Sequence, residues 1–520
     1  MYEFIFIYLA FKKSKFPYLT HSCNPKHHLL SFLPYTFFII FLFFIMNLKT
    51  LSKNLFNLLI IGLVLSCSNG DNDESPNPLT ASQSTSVSSS CPNISNSDGQ
   101  IVLSGEDSNN ELTCIYSGTY NDSFTMQNNA THILSGPVKI GDDTTTPILT
   151  IQEGTTIRGE SGKDSLNILR GAKIVARGSK TKPIIMTSAS DDGTLAADAQ
   201  AQWGGLQIMG KATQNCTDAE KNSEGICERS VEGFDAGDVK YGGDDDNDDS
   251  GVLSFVVIKY AGYAFTSENE LNGLALYTVG DGTEINHIRV HNSKDDGIEI
   301  FGGTVNLKYI YLTGVQDDSF DYTNGWRGKA QWIIIDQNTP DPVTASNNRP
   351  DNAMEFDNNG KANDASPRSN PIISNFLIIG NTEKHGELIH LRAGTQATLL
   401  NGIIIDESNQ GPCIEIDDAS TFASAGSINS STLSAKSILM DCGDKKFSGE
   451  DGSDLFSTSA WASEQGVVES KNTLNGYKNG ANEASVEVNT NLLDSFFGVP
   501  SEIGAVPSDG TDWTEGWSDI

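Results

Sequence analysis

Residues 284–323 read EINHIRVHNSKDDGIEIFGGTVNLKYIYLTGVQDDSFDYT, and one pattern occurs in them twice. His287-Ile288-Arg289-Val290 is followed by Asp295-Asp296 and then Gly297-Ile298-Glu299-Ile300; 22 residues on, Tyr309-Ile310-Tyr311-Leu312 is followed by Asp317-Asp318 and Ser319-Phe320-Asp321-Tyr322. The next apolar run, Trp332-Ile333-Ile334-Ile335, comes 23 residues after that, counted from Ile310 to Ile333. Repetition at a fixed period of 20–50 residues marks a solenoid, in which each unit buries its apolar residues against its neighbours.

The same two units extend in both directions. The unit with one variable residue between two apolar ones also occurs as Gly205-Leu206-Gln207-Ile208, Gly273-Leu274-Ala275-Leu276, Ala353-Met354-Glu355-Phe356, Leu388-Ile389-His390-Leu391 and Cys413-Ile414-Glu415-Ile416. Its companion runs are Phe255–Ile258, Phe376–Ile379, Gly402–Ile405 and Lys436–Leu439, and Ile148–Ile151, Ser165–Ile168, Ala172–Val175 and Pro183–Met186 fit as starting coils. A leucine-rich horseshoe needs an L-x-x-L-x-L-x-x-N frame with a helical return, and neither is present. Short β-branched runs broken by Gly, Asn and Asp instead predict an all-β fold, a right-handed parallel β-helix with loop insertions and end caps. Wider gaps place insertions at 211–250, 336–350 and 357–371. The β-helix is expected over 136–443, with caps at 91–135 and at 444–520, where Trp461, Trp513 and Trp517 fold over the end.

Charge and targeting bound the function. The chain of 520 residues carries 67 Asp+Glu against 34 Lys+Arg, a net charge of −33. Such a surface does not attract a phosphate backbone, so nucleic acid is excluded as a partner. Residues 1–45 read as translation from an upstream start. In 46–66, Lys49 and Lys53 precede a short apolar run, Leu55–Leu65, of signal-peptide length. The sequence Leu63-Val64-Leu65-Ser66-Cys67 has the form of a lipobox, which makes Cys67 an expected lipidation site and the outer membrane the expected location, on its cell-surface side by the acidic stretch Ser68–Glu74 that follows. Residues 67–90, rich in Ser, Thr, Asn and Pro, read as a disordered tether. Six further cysteines fall into neighbouring pairs, Cys91 with Cys114, Cys216 with Cys227 and Cys413 with Cys442; local disulfides are expected in an exported chain, although six cysteines allow 15 connectivities.

Several stretches together resemble a family of exported Bacteroidetes lipoproteins: "LTIQEGTTIRGE", "LNILRGAKIVARGSKTKPIIMTSA", "WGGLQIMGKA", "YGGDDDNDDSGVLSFVVIKYAG", the repeat quoted above, "LRAGT" and the terminal "DWTEGW". The resemblance implies a parallel β-helix and an exported location. It brings no catalytic residues with it.

The chemistry is carried by register. Asp295-Asp296 and Asp317-Asp318 stand at the same offset before their strands, and Asp351-Asn352 repeats it, so coil stacking superimposes them. Side chains alternate along a strand, so the middle residues Glu299, Asp321, Glu355, His390 and Glu415 form an outward column beside the pairs. Two carboxylates ~4.8 Å apart repel by roughly 3–4 kcal/mol at an effective dielectric of about 20, so the stack requires relief. Relief comes from Ca²⁺, the favoured reading, with Asp295, Asp296, Asp317, Asp318 and Asp351 as metal ligands, from a bound cationic ligand, or from protonation of some members, which raises their pKa. Hydrogen bonding of these side chains to turn backbone is the structural alternative. The acidic stretch Asp244–Gly251 departs from an EF-hand, because Gly251 and Val256 do not fall at the positions that loop needs.

Two functions fit this face. One is a carbohydrate-binding or cell-surface scaffold role, with Glu299, Asp321, Trp326, Arg327 and Glu355 as ligand-binding residues and Tyr309, Tyr311 or Tyr322 as stacking platforms. The alternative is a polysaccharide lyase or glycoside hydrolase acting on an extracellular glycan, with Asp295, Asp296, Asp317, Asp318, His390 and Arg392 as catalytic candidates.

Overall fold

The computed structural model describes residues 91–94, 99–106, 112–235, 237–266, 269–338, 350–383, 385–406, 408–425, 432–449 and 457–518. The signal peptide, Cys67 and the tether lie outside the described residues, as does most of the insertion expected at 336–350.

The chain winds into a right-handed parallel β-helix. One stack is an eleven-stranded sheet of short strands, among them Leu206–Met209, Leu274–Tyr277, Ile298–Phe301, Phe320–Thr323, Met354–Asp357, Ile389–Arg392 and Ile414–Ile416. All seven sequence units fall here in one register, Leu206 beside Leu274, Ile298, Phe320, Met354, Ile389 and Ile414. The glycine that opens a unit is required by close packing: a Cβ on Gly297 would lie 2.5 Å from the Ser319 carbonyl oxygen of the next coil.

The second stack is made of long strands, Gly251–Lys259, Glu284–His291, Asn306–Thr313, Lys329–Asp336, Ile372–Ile379, Ala397–Asp406 and Leu433–Cys442. Each bends in the middle at one left-handed residue: Phe255, His287, Tyr309, Trp332, Asn375, Asn401 or Ser437, with φ between 51° and 60°. In an earlier coil the bend is a full break, for Lys173–Arg177 and Ile184–Ser188 pair with the two halves of Gly251–Lys259. The left-handed conformation costs a non-glycine residue roughly 1–2 kcal/mol. Stacking offsets it: the rings of Phe255, His287, Tyr309 and Trp332 lie 4.1, 4.3 and 4.6 Å apart in succession. Inside, buried Ile, Leu, Val and Phe of both stacks form one continuous core.

The ends differ from expectation. Parallel pairing begins at Leu112–Ser117, well before residue 136, and the N-terminal cap proper is Gln100–Glu106, which pairs antiparallel with that strand. At the other end the helix Thr458–Gln465 caps the core, with Trp461 fully buried. The remainder runs back along the outside of the bent sheet. Ile503, Ala505 and Val506 cover the outward Ile334, Leu377, Ile403 and Leu439. The left-handed corner residues strap it down: Asn401 exchanges two hydrogen bonds with the Asn489 backbone (3.0 and 2.8 Å), and Asn375 donates to the carbonyls of Glu502 and Gly504. Trp513 and Trp517 therefore sit over the aromatic corner stack, not over the end. The disulfides are the three local ones, Cys91–Cys114, Cys216–Cys227 and Cys413–Cys442.

Candidate functional site

Alternation along the short strands sets up the site. Ala275, Glu299, Asp321, Glu355, His390 and Glu415 are paired rung to rung on the outward face of the eleven-stranded sheet. Three residues before each of the first five comes a turn position with a polar side chain, Asn272, Asp296, Asp318, Asn352 and Glu387, and before Glu415 it is Pro412. These turn side chains link the coils: Asp318 donates its backbone N–H to Asp296 Oδ1 at 3.0 Å, Asn352 to Asp318 Oδ1 at 2.9 Å, and Glu387 to Asn352 Oδ1 at 2.7 Å. Backbone satisfaction at the turns is thus one role of Asp296 and Asp318, and each spends a single oxygen on it.

The remaining oxygens converge. Asp296, Glu299 and Asp321 bring one carboxylate oxygen each within 4.8 Å of one another, and so do Asp296, Asp317 and Asp318. A third group joins Asp295 and Asp317 to Glu270, which the repeat could not reveal. Glu270 belongs to a small hairpin, Ala264–Thr266 with Asn269–Glu270, inserted between coils. A hydrogen bond links its backbone to Glu232, which comes from the 211–250 insertion. Both glutamates lie outside the coil register, so no periodic signal marks them.

Asp295, Asp296, Asp318 and Asp321 are only 7–8% exposed. Among the described residues no lysine or arginine forms an ion pair with these four or with Glu299 and Asp317; Arg392, whose field reaches Asp321, lies further down the column, where it pairs with Glu355 and with Asp357 at 2.8 Å. Burial first, then the neighbouring carboxylates, drives every member upward in pKa. Asp317 is raised to about 6 and Glu232 to about 7, and Asp295, Asp296, Glu299, Asp318 and Asp321 stand well above the usual carboxylate range. Asp295 with Asp317, and Glu299 with Asp321, are in direct hydrogen-bond contact, which two carboxylates tolerate only if they share a proton.

Three polar atoms beside this cluster have no partner: Asp321 Oδ1, Oδ1 of Asn272, whose amide nitrogen donates to Glu299 at 2.6 Å, and the hydroxyl of Tyr277, whose residue is 1% exposed. The Tyr277 ring is packed against Phe301 and Tyr241 at 4.4 and 4.9 Å, and its hydroxyl lies in the field of Glu232, Glu299 and Asp295. A donor set made only of oxygens, carrying excess negative charge and orphaned buried atoms, fits a hard divalent cation such as Ca²⁺. Asp351 is exposed at the margin, where its charge raises Asp317.

Lower in the column the charges are paired. For Arg392, burial pulls the pKa down, but the Asp357 and Glu355 carboxylates outweigh it and hold the guanidinium above its ordinary range. His390 Nδ1 lies 3.5 Å from Glu355 and 3.8 Å from Glu387; burial pulls its pKa down, but these carboxylates, Glu355 above all, outweigh it and hold the imidazole above its ordinary value.

Other candidates are not on this face. Trp326 is fully buried in the core against Phe320 and Tyr322, its indole N–H donating to the Val305 carbonyl at 3.1 Å. Tyr322 is equally buried, and Tyr311 is covered by Tyr477 of the returning chain. Tyr309 belongs to the corner stack, with Trp513 against it. A residue at a corner faces inward or outward according to a turn geometry that alternation does not predict, and these aromatics followed the core. Arg327 forks onto Asp246 with two bonds of 3.1 Å and so anchors the acidic loop of the insertion.

Among known proteins, the family model described as a pectate-lyase-like beta helix domain matches residues 118–518. No curated protein and no solved structure matches the chain.

Proposed function

Because the chain belongs to the pectate-lyase-like β-helix family, we propose that it is a surface-anchored, cation-dependent glycan-binding protein whose acidic face is completed by Ca²⁺. The observation that carries this reading is the set of seven carboxyls, Glu270, Asp295, Asp296, Glu299, Asp317, Asp318 and Asp321, gathered in triads within 4.8 Å beside partnerless buried oxygens. A cation held there neutralises the cluster. Glu299 and Asp317 are half-buried, so coordination positions on their side open to solvent, where a uronate carboxylate or vicinal hydroxyls of a glycan complete the shell. On this reading a lipidated Cys67 holds the protein at the outer membrane, where extracellular glycans are within reach.

Binding is favoured over catalysis by two features. Arg392 is held charged by Glu355 and Asp357, which suits it poorly to accept a proton. Within each triad the carboxyl oxygens are closer than the roughly 6.5–9.5 Å that an inverting hydrolase needs to seat its water, which leaves only the retaining spacing of about 5–5.5 Å within approach. The family relation keeps a polysaccharide lyase or glycoside hydrolase as the second reading. Residues 86–520 form one compact unit, which is the part to be tested. Incubating this unit with uronate and neutral glycans, with Ca²⁺ or with EDTA, separates the readings. Ca²⁺-dependent retention without cleavage is the expected result. Unsaturated or reducing ends that vanish in Asp296→Asn and Asp318→Asn make the protein an enzyme. Retention indifferent to both Ca²⁺ and these substitutions refutes the assignment.

A further inference from the structure

Two rungs below Asp321, about 9.6 Å away at ~4.8 Å per rung, the outward column changes chemistry. His390, Glu415 and Asp417 each bring one ligand atom within 4.8 Å of the others. Register explains the grouping: His390 is directly paired with Glu415, and Leu391 with Ile416, so that Asp417 emerges beside the same rung. Both ring nitrogens of His390 are closed off from solvent; Nδ1 faces two carboxylates, and Nε2 has no hydrogen-bond partner. The nearest groups to Nδ1 are Glu355 Oε2 at 3.5 Å and Glu387 Oε2 at 3.8 Å. Carboxylates placed so are the usual orienting partners of a ligating histidine, leaving the other nitrogen for a metal.

We propose that His390, Glu415 and Asp417 form a second divalent-cation site, distinct from the all-oxygen cluster above it, that takes a first-row transition ion of the Zn²⁺ class. A neutral imidazole with two carboxylates presents a charge of −2, which one divalent ion balances. Nitrogen ligation favours Zn²⁺ over Ca²⁺, whereas the upper cluster offers only hard oxygens. Asp417 is exposed and Glu415 half-buried, so the ion enters from solvent and keeps an open position there.

The test is a calorimetric Zn²⁺ titration of the 86–520 unit in saturating Ca²⁺, which occupies the upper cluster. One equivalent of saturable Zn²⁺ is expected, with affinity lowered about tenfold or more in His390→Ala and in Glu415→Gln. Asp417→Asn removes an exposed ligand without disturbing the core, and so keeps the test valid if His390→Ala does not fold. Absence of saturable Zn²⁺ binding overturns the proposal, as does wild-type affinity in Asp417→Asn and Glu415→Gln. Zn²⁺ binding that is lost in Asp321→Asn and retained in Glu415→Gln also overturns it, by moving the ion to the upper cluster. Ca²⁺-dependent glycan retention is read separately on the same variants, so failure of one assignment leaves the other standing.

Discussion

The carboxylate of Asp296 accepts the backbone N–H of Asp318 at 3.0 Å, one coil further along the helix. The same side chain also contributes an oxygen to the acidic triads. Fold and site therefore share one residue, and substitution separates the two roles. Asp296→Asn keeps an acceptor oxygen and removes the charge, while Asp296→Ala leaves the Asp318 N–H unsatisfied in a buried turn, at a cost of about 1–3 kcal/mol. Urea denaturation at pH 5, where the cluster is largely protonated, is expected to rank Asp296→Ala below Asp296→Asn by that amount. Equal stability of the two variants would show that the turn bond contributes nothing.

The raised carboxyls tie stability to pH in a definite direction. A carboxyl whose folded-state pKa exceeds its unfolded value binds its proton more tightly in the native protein. Its contribution is fully present below the unfolded value, near 4, and is lost as pH rises through the folded one. With Asp317 and Asp357 near 6 and Glu232 near 7, the metal-free protein is expected to lose thermal stability from about pH 4 to beyond pH 7. Saturating Ca²⁺ is expected to flatten that slope and to release protons on binding near pH 6. Melting curves in EDTA and in Ca²⁺ across this window check both. A metal-free melting temperature that rises from pH 5 to pH 7 contradicts the assignment of a cation-poor cluster.

Asp321→Asn removes the carboxyl whose Oδ1 has no partner and leaves its strand pairing with Glu299 and Glu355 intact. The metal-free variant is expected to be at least as stable as the parent at pH 7, since a like-charge contact is gone. Its Ca²⁺ affinity is expected to fall about tenfold or more, read by calorimetry. Undiminished Ca²⁺ binding would place the ion elsewhere.

How far the sequence discloses this molecule follows from what repetition can encode. The core strands recur because each coil presents the same positions to the same neighbours, so Ile288, Ile310 and Ile333 announce their own stacking. The acidic column is legible for the same reason. Glu232 and Glu270 are not, since insertions carry them to the site from outside the register. The route of the last fifty residues is equally hidden. It depends on an exterior apolar strip assembled from Ile334, Leu377, Ile403 and Leu439 on four different coils, and no local stretch displays that strip. Trp326 was misjudged because it stands at a corner, where alternation stops informing on direction.

That returning chain yields a last expectation. Trp517 is fully buried edge-on to Phe255 and His287, at 5.5 and 5.9 Å, and its indole N–H donates to the Trp513 carbonyl at 2.7 Å. The segment lies on the outside of the long-strand sheet, so its removal leaves the contacts between coils in place, and in a solenoid those neighbour contacts carry the stability of the winding. Truncating a buried tryptophan costs about 3–5 kcal/mol, more than a short peripheral strap is able to hold against. Trp517→Ala is therefore expected to free the end of the chain beyond Gly504 without unwinding the helix. Limited proteolysis followed by mass spectrometry is expected to show cleavage within 505–516 in the variant and resistance in the parent, with far-UV circular dichroism unchanged. Cooperative loss of all β signal in Trp517→Ala would instead make the corner stack a keystone of the whole winding.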